Sequence, residues 1–185
     1  MRSSIAILAL VLSLHVARAA PADWMIDGSR SRIEFTGNHA GQDFTGHFQK
    51  WTGTIAFDPA ALEQSRAVIE IDMASAKTGD NYKDGTLPQE EWLDVKHFPQ
   101  ARFETQNFTR SSEGHYEAEG HLTIKGNSVS LTLPFALKIE GADATMSGSA
   151  TLDRIALGIG TKSDPNAEWV SREIKVQVTV AAHRN

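Results

Sequence analysis

Val129-Ser130-Leu131-Thr132-Leu133-Pro134-Phe135-Ala136-Leu137-Lys138-Ile139 carries a large apolar side chain at every odd position. Successive side chains of a β-strand point to opposite faces, so this row has one dry face and one wet face. The same period recurs on both sides of it. Towards the C-terminus, Ile174, Val176, Val178 and Val180 repeat it. Towards the N-terminus, Tyr116, Ala118, Leu122 and Ile124 oppose Glu117, Glu119, His121 and Lys125. Ala67, Ile69, Ile71 and Met73 oppose Val68, Glu70 and Asp72. Gly53, Ile55 and Phe57 alternate with Thr52, Thr54 and Ala56, and Ile33 and Phe35 share a face of Arg32 to Thr36. With Phe44 to Trp51, Arg102 to Phe108 and Thr145 to Arg154, the chain reads as about eight strands.

Turn-forming residues separate the rows: Asp58-Pro59, Ser111 to Gly114, Lys125-Gly126-Asn127 and Glu140-Gly141-Ala142-Asp143. Links this short join antiparallel neighbours. The fold class is therefore all-β and antiparallel. Eight meandering strands must bury one face and manage their edges, and closure into a barrel does both. A closed β-sandwich satisfies the same periodicity. An eight-stranded barrel has an interior wide enough for side chains or one small ligand.

Ala74 to Gln100 breaks the alternation and holds Gly79, Gly85, Pro88 and Pro99. Pro88-Gln89-Glu90-Glu91-Trp92-Leu93 predicts a short helix, because proline suits a first helical turn and acids favour a helix N-terminus. An excursion of this length in a compact β domain is a flap over one barrel end, a functional loop, or both. Phe44, Phe48, Trp51, Tyr82, Trp92, Phe98 and Trp169 lie in or near it. Aromatics so placed plug a barrel end or face a ligand.

The ends of the chain speak of export. Arg2, the apolar run Ile5 to Val16 and Ala17-Arg18-Ala19 have the charge, length and small residues of a cleavable secretory signal peptide. The run is shorter than the roughly 20 residues needed to span a bilayer. The expected organisation is a signal peptide at 1–19 and one soluble domain at 20–185. Cleavage removes Arg2 and Arg18 from the 18 basic side chains, leaving 16 against 23 acids and a net charge of −7. Such a chain lacks the basic stripe that phosphate backbones require, which argues against nucleic acid as a partner. There is no cysteine, so thiol chemistry, thiolate metal sites and disulfides are excluded.

Motifs for chemistry are weak. Gly158-Ile159-Gly160 lacks the third glycine of a dinucleotide fingerprint, since Ser163 stands there, and no Gly-x-Ser-x-Gly elbow occurs. His115 and His121 are six residues apart on one strand, about 20 Å, and cannot share an ion. His39 and His47 flank a glycine-bearing hairpin that could bring them together. Asp80 and Asp84, with His97, would serve a hydrolase only if they converged on a polar cleft; a surface ion network with Lys77, Lys83 and Lys96 is the simpler reading. No cofactor and no metal site is expected.

From about Trp24 to Ala182 the chain resembles the YceI-like family of exported isoprenoid-lipid-binding barrels. The resemblance is carried in order by Trp24-Met25-Ile26-Asp27 with Ser31, Ile33 and Phe35; by Gly46-His47-Phe48 and Gly53-Thr54-Ile55-Ala56-Phe57-Asp58; by Asp84, Leu87, Trp92-Leu93-Asp94, Phe98-Pro99 and Ala101-Arg102-Phe103; by Gly120-His121-Leu122-Thr123-Ile124-Lys125-Gly126; and by Asp153-Arg154 and Leu157-Gly158-Ile159-Gly160 before Trp169. Two departures fall near the expected pocket: Leu157 replaces a usual phenylalanine, and Trp92-Leu93 a frequent aromatic pair.

The resemblance implies a lipocalin-like eight-stranded barrel with a short helical flap, located in the periplasm. It implies no catalysis, and a long amphiphile such as a polyisoprenoid or isoprenoid quinone as the ligand in place of a cofactor. The residues expected to hold that ligand are Phe35, Ile55, Phe57, Ile71, Phe103, Leu122, Ile124 and Phe135 inside, with Trp92 and Phe98 at the lid. Some relatives accompany a membrane cytochrome of the b561 type. The competing reading is a solidly packed barrel acting through its surface on such a redox partner. Transient membrane contact and pairing of two copies as a homodimer stay open.

Overall fold

The structure, a computed structural model, describes residues 20–184. The expected signal peptide at 1–19 lies outside the described residues. The strands are β1 (Asp23–Ile26), β2 (Arg32–His39), β3 (Gln42–Phe48), β4 (Trp51–Ala56), β5 (Arg66–Asp72), β6 (Ala76–Lys77), β7 (Gln100–Ser112), β8 (His115–Ile124), β9 (Asn127–Glu140), β10 (Asp143–Asp153) and β11 (Glu173–Arg184). A helix, α1 (Asn81–Thr86), lies between β6 and β7.

These segments form eight staves. β1 and β2 both pair with β11, at Ile26↔Ala182 and Arg32↔Thr179, so they are one stave interrupted at residues 27–31. β3 pairs with β2 while β4 pairs with β1, and β6 pairs with β3 while β5 pairs with β4. Each of these two couples is likewise one broken stave. β7 to β11 follow as an antiparallel meander, and the β1–β11 pairing closes the ring. The structure is thus a closed barrel rather than a sandwich, and closure removes the sheet edges.

The interruptions have local chemistry. Asp27 Oδ1 accepts the Ser29 amide and hydroxyl, folding a turn, and Ser31 Oγ both donates to and accepts from the Ala181 backbone in place of the ladder. Between β3 and β4 the Lys50 amide donates to Ser75 Oγ at 3.0 Å. The sequence reading ran Phe44 to Trp51 as one strand; the break at Gln49-Lys50 corrects it.

The helix position is also corrected. It starts at Asn81 because Asp80 is the better cap: its carboxylate accepts the Tyr82 and Lys83 amides. Residues 88–95 form successive turns instead, with Leu93 donating to the Leu87 carbonyl and Val95 to that of Pro88.

The two ends differ. At the closed end Phe57, Phe108, Tyr116 and Phe135 pack edge-on or stacked, with ring centroids 5.2–6.3 Å apart. Such pairs add roughly 0.5–1.5 kcal/mol each beyond their buried area. Trp24 Nε1 donates to the Phe57 carbonyl at 2.9 Å across this plug. At the other end, β9 and β10 pair only from Glu140↔Asp143 to Phe135↔Gly148 and then diverge. The flap (residues 78–99) and a closing loop (residues 154–172) occupy that end.

Candidate functional site

The barrel encloses a cavity of about 270 Å³. Every lining side chain except Thr105 and Arg154 is apolar. The inner rows of the strands create it. Phe103 and Leu122 face each other across β7 and β8, and both are buried. Phe35 sits opposite Gly46, and a Cβ on Gly46 would lie 2.3 Å from the Phe35 ring, so glycine there makes room for the aromatic. Phe35 in turn meets Phe48 at 5.3 Å between centroids.

Of the residues expected from the sequence, Phe35, Ile55, Phe57, Ile71, Trp92, Phe103, Leu122, Ile124 and Phe135 line this one cavity. Phe98 does not. It leaves the flap on the outside and lies over the Lys125-Gly126 turn, where a Cβ on Gly126 would meet its ring at 3.0 Å. Both turn residues have positive φ, as a two-residue hairpin requires. The site reading also omitted the inner faces of β10 and β11, where Met146, Leu152, Ile174 and Val176 line the cavity. Their period-two rows were the signal that could have included them.

The cavity roof comes from the flap and the closing loop. Leu87, Trp92 and Leu93 descend from the flap, and Leu157, Ile159 and Val170 from the loop. Arg154 anchors the loop. Its guanidinium is 2% exposed, lies 2.6 Å from Asp164 Oδ2, and donates to the carbonyls of Ile159, Val170 and Ser171. Asp164 also accepts the amides of Glu168, Trp169 and Val170. Burial pushes the Asp164 carboxyl up, but those amides and the Arg154 charge hold it below the ordinary carboxylate value. The loop is therefore wound around a buried ion pair with its hydrogen bonds satisfied.

Flap and loop are sewn together. Glu91 Oε1 accepts from the amides of Lys162 and Ser163 and from the Ser163 hydroxyl. Lys125 Nζ bonds the carbonyls of Glu91 and Gly158 at 3.1 and 3.0 Å. Burial raises the Glu91 carboxyl, yet the Ser163 amide and hydroxyl, the Lys162 amide and the Lys125 charge bring it below its ordinary value.

A second hollow, a groove of about 260 Å³, opens beside the roof. It shares Phe44, Leu87, Trp92 and Val170 with the cavity and adds His39, Thr78, Tyr82, Lys83, Thr86 and Ser163. In this groove polar side chains stand beside four residues that also line the cavity.

The candidate acid–base groups have separate structural tasks. Asp80 caps α1 and pairs with Lys83, Asp84 accepts from the Thr78 amide and hydroxyl, and His97 pairs with Asp94 at 2.7 Å. His39 and His47 do not approach each other. His39 stands opposite Gln42 and His47 opposite Glu34, about 17 Å apart along the hairpin.

Residues 24–182 match the model of a protein family described as the YceI-like domain. A UPF0312 protein of Pseudomonas syringae pv. tomato is 31% identical over 169 residues, which are 86% of this chain and 88% of that protein. A UPF0312 protein of Vibrio cholerae is 27% identical over 92% of this chain and 93% of its own length. Among solved structures, Burkholderia cenocepacia BcnA superposes with a TM-score of 0.81 at 28% identity, covering 84% of this chain and 98% of that one. A polyisoprenoid binding domain from Saccharophagus degradans, implicated in plant cell wall breakdown, shares the fold with a TM-score of 0.68 at 13% identity, over 89% of this chain and 99% of that one.

Proposed function

The chain belongs to the YceI-like family, and on that premise we propose that its barrel binds one long-chain amphiphile of the isoprenoid type and carries or stores it in the periplasm. The observation that carries this reading is the apolar cavity, flanked by a groove with polar walls. A solidly packed barrel would have no such space. At about 270 Å³ the cavity lies near the lower end of the roughly 300–1,000 Å³ range of small-molecule pockets. Burying a tail in an apolar interior is worth about 0.8 kcal/mol per CH₂-sized group, so a few isoprene units offset the entropy of binding. The Saccharophagus domain, described as polyisoprenoid binding, supports the ligand class through the shared fold. The role is binding rather than catalysis, in keeping with that neighbour and with the local partners of Asp80, Asp84 and His97.

Phe35, Ile55, Phe57, Ile71, Phe103, Leu122, Ile124 and Phe135 would contact the tail, with Trp92 above them. Titration of the mature protein with an isoprenoid alcohol tests this. Phe103→Arg places a charge in the cavity and is expected to abolish binding. His121→Ala, on the outer face of β8 beside Leu122, is expected to leave it intact. Unchanged binding by a folded Phe103→Arg protein would overturn the proposal.

A further inference from the structure

The barrel wall has a seam. The β9–β10 ladder ends at Phe135↔Gly148. Beyond it β9 runs on to Asn127 against β8, and β10 runs on to Asp153 against β11. Pro134 explains where the split starts. A Cβ on Gly148 would lie 2.7 Å from the Pro134 carbonyl oxygen, so that carbonyl points towards β10. A strand residue projects its N–H and C=O to the same side, and proline has no N–H to donate. The next rung towards Asn127 therefore lacks a donor. The far end of the seam is pinned: Asn127 Nδ2 donates to the Leu157 carbonyl at 3.1 Å, and Lys125 Nζ to that of Gly158 at 3.0 Å. Two free sheet edges thus face each other along residues 128–133, about 20 Å at ~3.3 Å per residue.

Both banks of the seam suit a hydrocarbon chain. Inside, Leu131 and Leu133 of β9 and Ala150 and Leu152 of β10 line the cavity, so the seam leads straight into it. Outside, Ser128, Ser130 and Thr132 on β9 and Ser149 and Thr151 on β10 are exposed and small. From Ser128 to Ala136 and from Thr145 to Thr151 the sequence carries no charge, although β8 and β11 on either side hold Glu117, Glu119, Glu173 and Lys175. A charge on these banks would have to shed water as an alkyl chain passed. The seam also has the least to break. The roof is held by Glu91 on Lys162 and Ser163 and by Arg154 on Asp164, all bonds to charged groups, whereas parting β9 from β10 along the seam breaks no rung of the ladder. An added peptide strand fits the seam less well. It needs both edges about 4.8 Å away along its whole length, and the seam is pinned at both ends.

We propose that this seam is a lateral portal, through which the alkyl chain of the amphiphile enters and leaves the barrel while the roof stays shut. The proposal rests on the amphiphile reading above and adds the route. The chain slips in sideways between Leu131 and Leu152 rather than end-on past Trp92.

The chain has no cysteine, so introduced thiols are the only ones present. Thr132→Cys with Thr151→Cys puts a pair on the outer banks, at positions that would face each other if the ladder ran on, and a short bismaleimide bridges them. Glu90→Cys with Lys162→Cys, at an exposed ion pair between flap and loop, bridges the roof in the same way. Uptake of geranylgeraniol is followed by stopped-flow tryptophan fluorescence, with each variant capped by N-ethylmaleimide as the unbridged control. Bridging the seam is expected to slow uptake at least about tenfold, and to slow release from preloaded protein by the same factor, because a gate alters rates and leaves the equilibrium alone. Bridging the roof is expected to change either rate by less than about twofold. Thr132→Phe with Thr151→Phe, which crowds the banks without a bridge, should slow both rates in the same sense; circular dichroism checks that the variants are folded. Unchanged rates across a bridged seam, or an equal slowing by the roof bridge, overturn the portal while leaving the apolar container standing. If the unaltered protein takes up no geranylgeraniol, the container reading falls and the portal with it.

Discussion

Glu91 of the flap and Ser163 of the closing loop meet through a single oxygen: Glu91 Oε1 accepts the Ser163 amide at 2.8 Å and its hydroxyl at 2.9 Å. The Lys162 amide adds a third bond at 2.9 Å. Two segments some seventy residues apart in sequence thus form one latch over the cavity. Opening the roof requires this cluster to break.

Glu91→Ala therefore loosens the roof without touching the barrel. Hydrogen bonds to a charged group are worth about 1.5–3 kcal/mol. Amide exchange at Lys162, Ser163 and Gly160 should accelerate by about ten- to a hundredfold, while exchange around Phe57 and Tyr116 at the closed end stays as it was. Equal acceleration at both ends would show that Glu91 acts on global stability rather than as a latch.

The latch and the buried pair are acid-sensitive. Burial opposes ionisation of Glu91 and Asp164, but their hydrogen bonds and cationic neighbours leave both carboxyls more acidic when folded than in the open chain. A carboxyl shifted down in the folded state contributes stability that is fully present above its ordinary value of about 4 and is lost as pH falls through the lower folded value. Urea midpoints should be level from about pH 7 to 5 and fall below about pH 4. Glu91→Gln and Asp164→Asn should each flatten that fall; an unchanged acid limb in both would refute the assignment.

Arg154 and Asp164 hold the closing loop from inside. Removing one partner of a buried pair costs about 3–5 kcal/mol, because the other charge is left uncompensated. Arg154→Met should lower the unfolding free energy extrapolated from urea titration by that amount. Arg154→Met with Asp164→Asn should recover part of it, which is the signature of coupling rather than of two separate losses.

Phe98 and Phe103 are five residues apart and serve different surfaces. Phe103 lines the cavity, whereas Phe98 lies over Gly126 outside it. Phe98→Ala should change ligand affinity by less than about twofold and show as lost stability, since only packing is removed. A large loss of affinity in Phe98→Ala would mean that the flap rearranges around the ligand.

Much of this was legible in the residue pattern, and the exceptions have causes. The row Val129 to Ile139 told inside from outside because period two admits one assignment once a face is dry: Leu133 and Phe135 are buried, while Thr132 and Pro134 are exposed. The barrel interior followed from such rows. The flap did not, because its shape depends on single side-chain acceptors rather than on periodicity. Asp80 wins the helix start from Pro88 by capping two amides. Glu91 was read as an acid at the start of the expected helix, whereas the fold sets it against Ser163 of the closing loop. Arg154 was visible only as part of a motif; its partners Asp164, Val170 and Ser171 reach it through loop geometry that no local pattern encodes.

The central claim is that the barrel interior holds an isoprenoid chain. Native mass spectrometry of the protein purified from its own cells, followed by organic extraction, tests it most directly. The account predicts one stoichiometric adduct that extraction releases as an isoprenoid. A bare mass that stays bare after incubation with polyprenyl alcohols and isoprenoid quinones would contradict it.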